Sequence, residues 1–360
     1  MFGSSAPLHS KQGLAVVAVG ALLLAACGSD DPASSSDSSQ PAASADAAVV
    51  VATTSIWADI TANVACDGLA DVRVIIPPGG DPHSFEPSLR DRETMDTADL
   101  IVANGLFLEE SLEDTIDAAE SSGVPVLHVA ESLDPIPSSA ASHEEDHDED
   151  HDEDHEGDEE DNDDTADADA AHDDEAAHDD HGDEDPHVWW DPTRMAAAVP
   201  VIATALADAG VDRDALDDCA ASYIDELTTL DDDIDELVDP LADDQRILVT
   251  NHDSLGYFAD RYDFEVLGSV IPSSSSLAAT SPAELDALAA DIEATGVPAI
   301  FADTQNSSDD ADALANRIGD VEVISMLTDT LDEPGTDQGT YVGWLRQNVE
   351  TIVEALGGAS

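Results

Sequence analysis

Short apolar runs alternate with longer amphipathic stretches along most of this chain, and the alternation occurs twice. The first set of runs covers residues 48–52, 72–76, 100–103 and 124–128; the second covers 246–250, 264–268, 297–301 and 321–324. Val, Ile, Leu and Ala fill most of their positions, the pattern of strands covered on both faces. Amphipathic stretches at 56–64, 106–119, 192–209, 282–294 and 341–356 supply the helices. Strand and helix in this rhythm build parallel sheets with helices on their faces. The expected fold class is therefore α/β, with two lobes, each a four-stranded, mostly parallel sheet flanked by helices.

One amphipathic stretch stands apart by its length. Between residues 213 and 237, Leu216, Cys219, Tyr223, Leu227, Leu230, Ile234 and Leu237 recur at three- and four-residue steps, with no Gly or Pro between them. A helix of that length extends about 37 Å at roughly 1.5 Å per residue, enough to run from one lobe to the other. The expected organisation is an N-terminal lobe over 48–210, a linking helix over 211–240 and a C-terminal lobe over 241–360. The first lobe carries an insertion at 138–184 made mostly of His, Asp and Glu, which cannot bury a core and reads as a disordered loop.

The chain has 83 acidic against 10 basic residues, a formal net charge of −73. Nucleic acid is excluded as a partner, because its phosphates would be repelled. Only 26 of the acidic residues lie between His143 and Asp185, so most of the charge belongs to the parts that fold. Self-repulsion of this size needs screening, and a salty habitat is expected.

The first 27 residues read as a targeting signal. Lys11, the one lysine of the chain, precedes an apolar run at 13–24 that is too short to span a bilayer as a mature helix. Leu24-Ala25-Ala26-Cys27 then resembles a bacterial lipobox, in which Cys27 is lipidated and holds the protein to the membrane outside the cell. Residues 28–47, rich in Ser, Asp, Ala and Pro, form a disordered tether. Two further cysteines remain, Cys66 and Cys219. An oxidising compartment allows them to pair, and two buried thiols are the alternative.

Seven of the twelve histidines lie in the acidic insertion: His143, His147, His151, His155, His172, His178 and His181. Imidazole is the commonest protein ligand for zinc, copper and nickel. The segment therefore offers several weak metal sites, although like charges between the histidines oppose a metal-free helix. His9 belongs to the signal, and four others remain. His83 and His187 each stand in an Asp-Pro-His setting, in Gly80-Asp81-Pro82-His83-Ser84-Phe85-Glu86-Pro87 and Asp185-Pro186-His187-Val188-Trp189-Trp190-Asp191-Pro192. Flanking prolines restrict the backbone and fix the direction of each ring. His252 follows a strand, where ligands of doubly wound sheets bind. His128 also ends a strand, but no such frame surrounds it, and it reads as structural.

These motifs, with the His-rich insertion and with Gly256-Tyr257-Phe258 and Arg261-Tyr262 after His252, resemble the zinc/manganese solute-binding proteins of bacterial ABC transporters. The resemblance runs from about residue 49 to 356. It implies one metal ion in a cleft between two lobes, held by His83 and His187 from the first lobe and by His252 and Asp329 from the second. His rather than Glu at the third position leans toward Zn(II), with Mn(II) the alternative; three imidazoles and one carboxylate suit a four-coordinate ion better than manganese. It also implies an ABC transporter membrane permease as partner, and a receptor acting as a monomer. Asp303, in Phe301-Ala302-Asp303-Thr304-Gln305, matches a segment that lines the cleft and is not expected to be a ligand. Ligating histidines pass their other ring N–H to a carboxylate or carbonyl, for which Asp81, Glu86, Asp185, Asp191 and Asp253 are candidates.

Two other functions are set against this one. An enzyme would need an open coordination position and a general base, and no HExxH motif is present outside the low-complexity insertion, which cannot hold a rigid geometry; the chain is expected not to be one. A surface metal buffer or adhesin would have its main site in the His-rich insertion. Within the receptor reading, that insertion is expected to collect metal rather than to brake uptake or merely space the chain. The charge makes one prediction independent of all of these: the melting temperature should rise as NaCl is raised, read by circular dichroism, and a flat or falling dependence would contradict the need for screening.

Overall fold

A computed structural model describes residues 47–138 and 184–357. The signal with Cys27, the tether up to residue 46 and the seven histidines of the acidic insertion lie outside the described residues. The first sheet holds β1 (Ala48–Ala52), β2 (Ala70–Val74), β3 (Leu100–Ala103) and β4 (Val126–His128), in the order β2-β1-β3-β4. The second holds β5 (Ile247–His252), β6 (Glu265–Ile271), β7 (Ala299–Asp303) and β8 (Glu322–Met326), in the order β6-β5-β7-β8. Every pairing is parallel. The two sheets thus repeat one topology, and each changes winding direction between its two central strands. The crevice beyond the carboxyl ends of such strands is where this class of sheet binds ligands.

Helices cover the sheets: α1 (Ser55–Val64), α2 (Leu89–Asp96) and α3 (Glu113–Ser121) in the first half, and α4 (Pro192–Asp208) and α5 (Arg213–Val238) between the halves. In the second half come α6 (Gly256–Tyr262), α7 (Pro282–Thr295), α8 (Asp309–Ile318) and the closing α9 (Tyr341–Gly357). Their ends follow local chemistry. Thr54, Asp191 and Asp212 cap α1, α4 and α5 through their side-chain oxygens, and Ser281 with Glu284 forms a capping box on α7.

Strand bounds shift by up to three residues from the sequence-based expectation, and the largest difference is at a helix start. The helix expected over 106–119 begins only at Glu113. Gly105, Leu106 and Phe107 are all left-handed, at φ 82°, 54° and 60°, and a right-handed helix cannot pass through them. The resulting loop stands at the mouth of the crevice. Three short helices, α2, α6 and α8, were not apparent from periodicity; α2 buries only Met95.

The long helix α5 buries Leu216, Cys219, Tyr223, Leu227, Leu230, Ile234 and Val238. It packs against α1 and α4 on one side and α9 on the other, and so touches the helices of both sheets. Cys66, just after α1, is disulfide-bonded to Cys219 on α5, with Cα atoms 5.8 Å apart. A single apolar core runs through both halves. At its centre, Trp190 lies 4.7 Å from Trp344 and 6.1 Å from Phe258, ring centroid to centroid. A smaller cluster around Val51, Ile76, Met95 and Ile116 fills the space between the first sheet and α2 and α3.

Asp59 on α1 adds a polar tie between the halves. Its Oδ2 accepts the Tyr341 backbone N–H at 2.9 Å, at the first turn of α9. Burial raises its pKa to about 6, only partly offset by that hydrogen bond. The folded protein therefore holds this proton to a higher pH than the unfolded chain, and ionisation removes stability as pH climbs from about 4 through 6. We predict that Asp59→Asn stabilises the protein at pH 8 by roughly 1–2 kcal/mol, after allowance for the lost charged acceptor, and has little effect at pH 4.5. Urea unfolding at the two pH values, at constant salt, checks this; an equal effect at both would contradict it.

Candidate metal centre

Four side chains from well-separated segments meet beyond the carboxyl ends of the strands. His83 sits in the Pro-framed turn after β2, and His187 stands immediately before the 3₁₀ turn Val188–Trp190. His252 is the last residue of β5, and Asp329 lies in the loop after β8. Each offers one ligand atom, these atoms all lie within 4.8 Å of one another, and all four residues are buried. Among the described residues this is the one such group of His, Cys, Asp or Glu.

Two of the imidazoles are oriented from behind by a hydrogen-bonded carboxylate, and a third carboxylate stands near the other ring. Asp185 Oδ1 lies 2.7 Å from His187 Nδ1 and also accepts the His187 backbone N–H at 2.9 Å. Asp303 Oδ2, at the end of β7, lies 2.8 Å from His252 Nδ1. Glu110 Oε1 lies at an ion-pair distance, 3.3 Å, from His83 Nδ1, which has no hydrogen-bond partner; the other two rings are hydrogen-bonded through Nδ1. Nδ1–H donation to a carboxylate leaves the Nε2 lone pair of a neutral ring for an ion, the usual arrangement around a metal-binding histidine. The Nε2 atoms of His187 and His252 are 3.2 Å apart. Two ligand atoms held tetrahedrally at about 2.05 Å from one ion would be about 3.3 Å apart.

The carboxylates are themselves held. Asp303 accepts from Asn251 Nδ2 at 3.2 Å and from Thr328 Oγ1 at 3.0 Å. Gly256 makes room for Asp185: a Cβ at this position would stand 2.7 Å from Asp185 Oδ2. Asp81 accepts the His83 backbone N–H at 3.0 Å and the hydroxyls of Ser84 and, from the second half, Ser276. Glu109 holds the loop that carries Glu110, accepting from Thr53 Oγ1 at 2.5 Å, Asn104 N at 2.7 Å and Gly105 N at 3.2 Å. Ser111 returns from that loop to the His83 carbonyl, donating through its backbone N–H and its hydroxyl. Of the remaining sequence candidates for supporting carboxylates, Asp191 instead caps α4 and pairs with Arg194, and Glu86 is exposed. His128 stays outside the group, packed beside Gly105.

Burial and charge act differently on the three rings. Burial drives His187 down to about 3, so it is a neutral donor. Burial also opposes charge on His252, but Asp303 and Asp329 outweigh it and push that ring up to about 10. Burial alone would raise Asp303, yet the adjacent His252 holds its carboxyl below the ordinary range. Burial raises Asp185 to about 7 and also raises Asp329. An ion entering the group must therefore displace the His252 proton.

The donor set fits a metal cargo on a direct observation. His83 Nε2 and Asp329 Oδ1 are buried, face the group and have no hydrogen-bond partner. Leaving a polar atom in that state costs about 1–3 kcal/mol, and more for a charged one. A cation coordinated by both would remove the cost. An opening lined by His83, Leu106, Phe107, Glu110, Pro186, Ser274 and Ser275 leads from the surface to His83. Sequence reasoning missed Glu110 and the supporting role of Asp303, because neither is adjacent in sequence to the histidine it serves; Pro-framed motifs locate a ring but not what stands behind it.

Residues 50–355 match the family described as zinc-uptake complex component A, periplasmic. The zinc-binding protein TroA of Treponema pallidum is 29% identical over 311 residues, covering 84% of this chain and 87% of that protein. The manganese-binding lipoprotein MntA of Bacillus subtilis is 27% identical over 314 residues, covering 85% and 88%. Among solved structures, the periplasmic zinc-binding protein TroA from Treponema pallidum superposes with a TM-score of 0.70 at 26% identity, covering 86% of this chain and 99% of that one. With two parallel sheets of matching topology, a buried three-histidine, one-aspartate group and a match over most of its length, the chain belongs to the zinc-uptake complex component A family of metal-binding receptors of ABC transporters, which are not enzymes.

Proposed function

We propose that this protein captures Zn(II) outside the cell at His83, His187, His252 and Asp329 and delivers it to an ABC-type permease. The observation that carries the proposal is the pair of buried, unpartnered ligand atoms, His83 Nε2 and Asp329 Oδ1, within a group of three imidazoles and one carboxylate. Zinc is favoured by chemistry: it accepts four ligands dominated by nitrogen, whereas manganese prefers more oxygen. Manganese is the second reading, favoured by relatives named as manganese-binding lipoproteins. Cys27 is the anchor in this proposal, consistent with relatives named as lipoproteins. Residues 48–210 and 241–360 act as the lobes, with 211–240 linking them.

Loading works by a small rearrangement rather than a wide closure. The continuous core, the Trp190–Trp344 contact and the disulfide from Cys66 to Cys219 on α5 all resist lobe separation. Ligand atoms that already lie within 4.8 Å need only short movements to converge on an ion. The chain's own residues orient the rings and keep the ligand atoms buried, and His252 releases its proton to solvent as the cation binds. The histidines of the acidic insertion collect zinc at weak sites and raise its local concentration near the opening.

Metal titration separates this receptor from a surface buffer. Deleting residues 143–183 should leave one tight zinc site, whereas His187→Ala in the full chain should abolish tight binding and keep the weak sites. Isothermal titration with a competing chelator reads both; loss of the tight site on deletion would refute the receptor. Removing a ring's supporting carboxylate should matter less than removing the ring. We predict that Asp185→Asn lowers zinc affinity by about 10- to 100-fold without changing stoichiometry, and an unchanged affinity would show that Asp185 does not support His187.

A further inference from the structure

We propose that Gln305 determines how many oxygen atoms the site offers and thereby favours zinc over manganese. The inference rests on the metal reading of the four-residue group. Gln305 lies just beyond β7, half-buried, in the segment that ends with Asp303 on the strand. Its side-chain Nε2 donates to Asp329 Oδ2 at 3.1 Å and to Thr328 Oγ1 at 2.9 Å. Its Oε1 accepts from Thr304 Oγ1 at 3.2 Å. A carboxylate only accepts, so the amide must present its NH₂ to Asp329, and the Thr304 contact to Oε1 agrees with that orientation.

The two oxygens of Asp329 are consequently unequal. Oδ2 is engaged by Gln305 and lies 3.6 Å from His252 Nε2, while Oδ1 is buried, has no hydrogen-bond partner and lies 4.0 Å from His187 Nε2. The Gln305 amide donates to Oδ2 and so competes with an ion for it, which leaves Oδ1 the freer oxygen. Oδ1 then supplies one oxygen beside three imidazole nitrogens. Four single-atom ligands suit zinc, while an ion that requires more oxygen ligands gains only if Oδ2 is released. The same amide reaches the opposite side of the group, because Thr328 Oγ1 donates to Asp303 Oδ1 and Asp303 supports His252. Gln305 touches no ion in this account; it is a positioning residue acting through Asp329.

Co(II) is a suitable probe, since its visible absorption is intense in four-coordinate sites and weak in six-coordinate ones. The full chain would be compared with Gln305→Met, which keeps the side-chain length without a donor, and with Gln305→Ala. Wild type should give the intense four-coordinate spectrum; both variants should lose most of that intensity, and their zinc-over-manganese selectivity in competition titrations should narrow by roughly tenfold, about 1.4 kcal/mol. A variant that binds Co(II) with the wild-type spectrum and the wild-type selectivity would overturn the role of Gln305 and leave the site intact. Absence of any His187-dependent Co(II) band in wild type would instead remove the metal reading, and this inference with it.

Discussion

Four ligand groups are buried together, two of them, His83 and Asp329, with atoms that find no hydrogen-bond partner, and most features of the structure serve to keep them so. His83 Nε2 and Asp329 Oδ1 lack partners, and the Nε2 atoms of His187 and His252 face each other at 3.2 Å. No fold gains stability from such a cluster by itself. It persists because stronger interactions around it determine where each group lies. Asp185 and Asp303 hold two rings from behind, Asp81 and Ser111 hold the His83 backbone, Glu109 and Asn104 clamp the loop that carries Glu110, and Gly256 admits Asp185. Strain stored in this way is expected at a binding site, and the left-handed pair Leu106 and Phe107 at the opening is part of it.

The topology explains why the ligands can come from both halves. Each sheet has its crevice between its central strands, and the two crevices face a common space. Side chains then join the halves around it: Ser55 accepts from Leu331 N, Gly79 N donates to Thr330, Tyr257 donates to the Asp185 carbonyl and Trp189 Nε1 donates to the Thr328 carbonyl. Below this polar layer lies the aromatic core of Trp190, Phe258, Tyr341 and Trp344, with α5 packed against α1, α4 and α9. Apolar packing at near-crystalline density is poorly deformable, so metal exchange has to be accomplished by the loops above it.

Much of this was legible in the residues themselves. Continuous apolar runs disclosed the central strands β1, β3, β5 and β7, because a parallel strand buried on both faces has no polar side to confuse the pattern, while the edge strands β2, β4, β6 and β8 are only partly buried. Strict spacing from Leu216 to Leu237 disclosed α5, and proline on both sides of His83 and His187 marked rings of fixed direction. Other features depend on contacts that no local pattern encodes. Glu110 meets His83 only after the loop that follows β3 has come against the turn that follows β2, with β1 between the two strands, and Asp303 meets His252 only because β5 and β7 are neighbours. The bend at Gly105-Leu106-Phe107 places two bulky residues at positive φ, against their own preference, and so defeats a reading based on helical spacing. Helix α2 buries a single residue, Met95, and offers no periodicity to read.

The central claim is that one ion is held by three imidazoles and a carboxylate between the two halves. X-ray absorption spectroscopy at the zinc edge tests it most directly, on protein lacking residues 143–183 and loaded with one equivalent of metal. The account predicts a first shell of four light atoms at about 2.0–2.1 Å, with the multiple-scattering pattern of three imidazole rings. A shell of six oxygens, or one with fewer than two imidazoles, would contradict it.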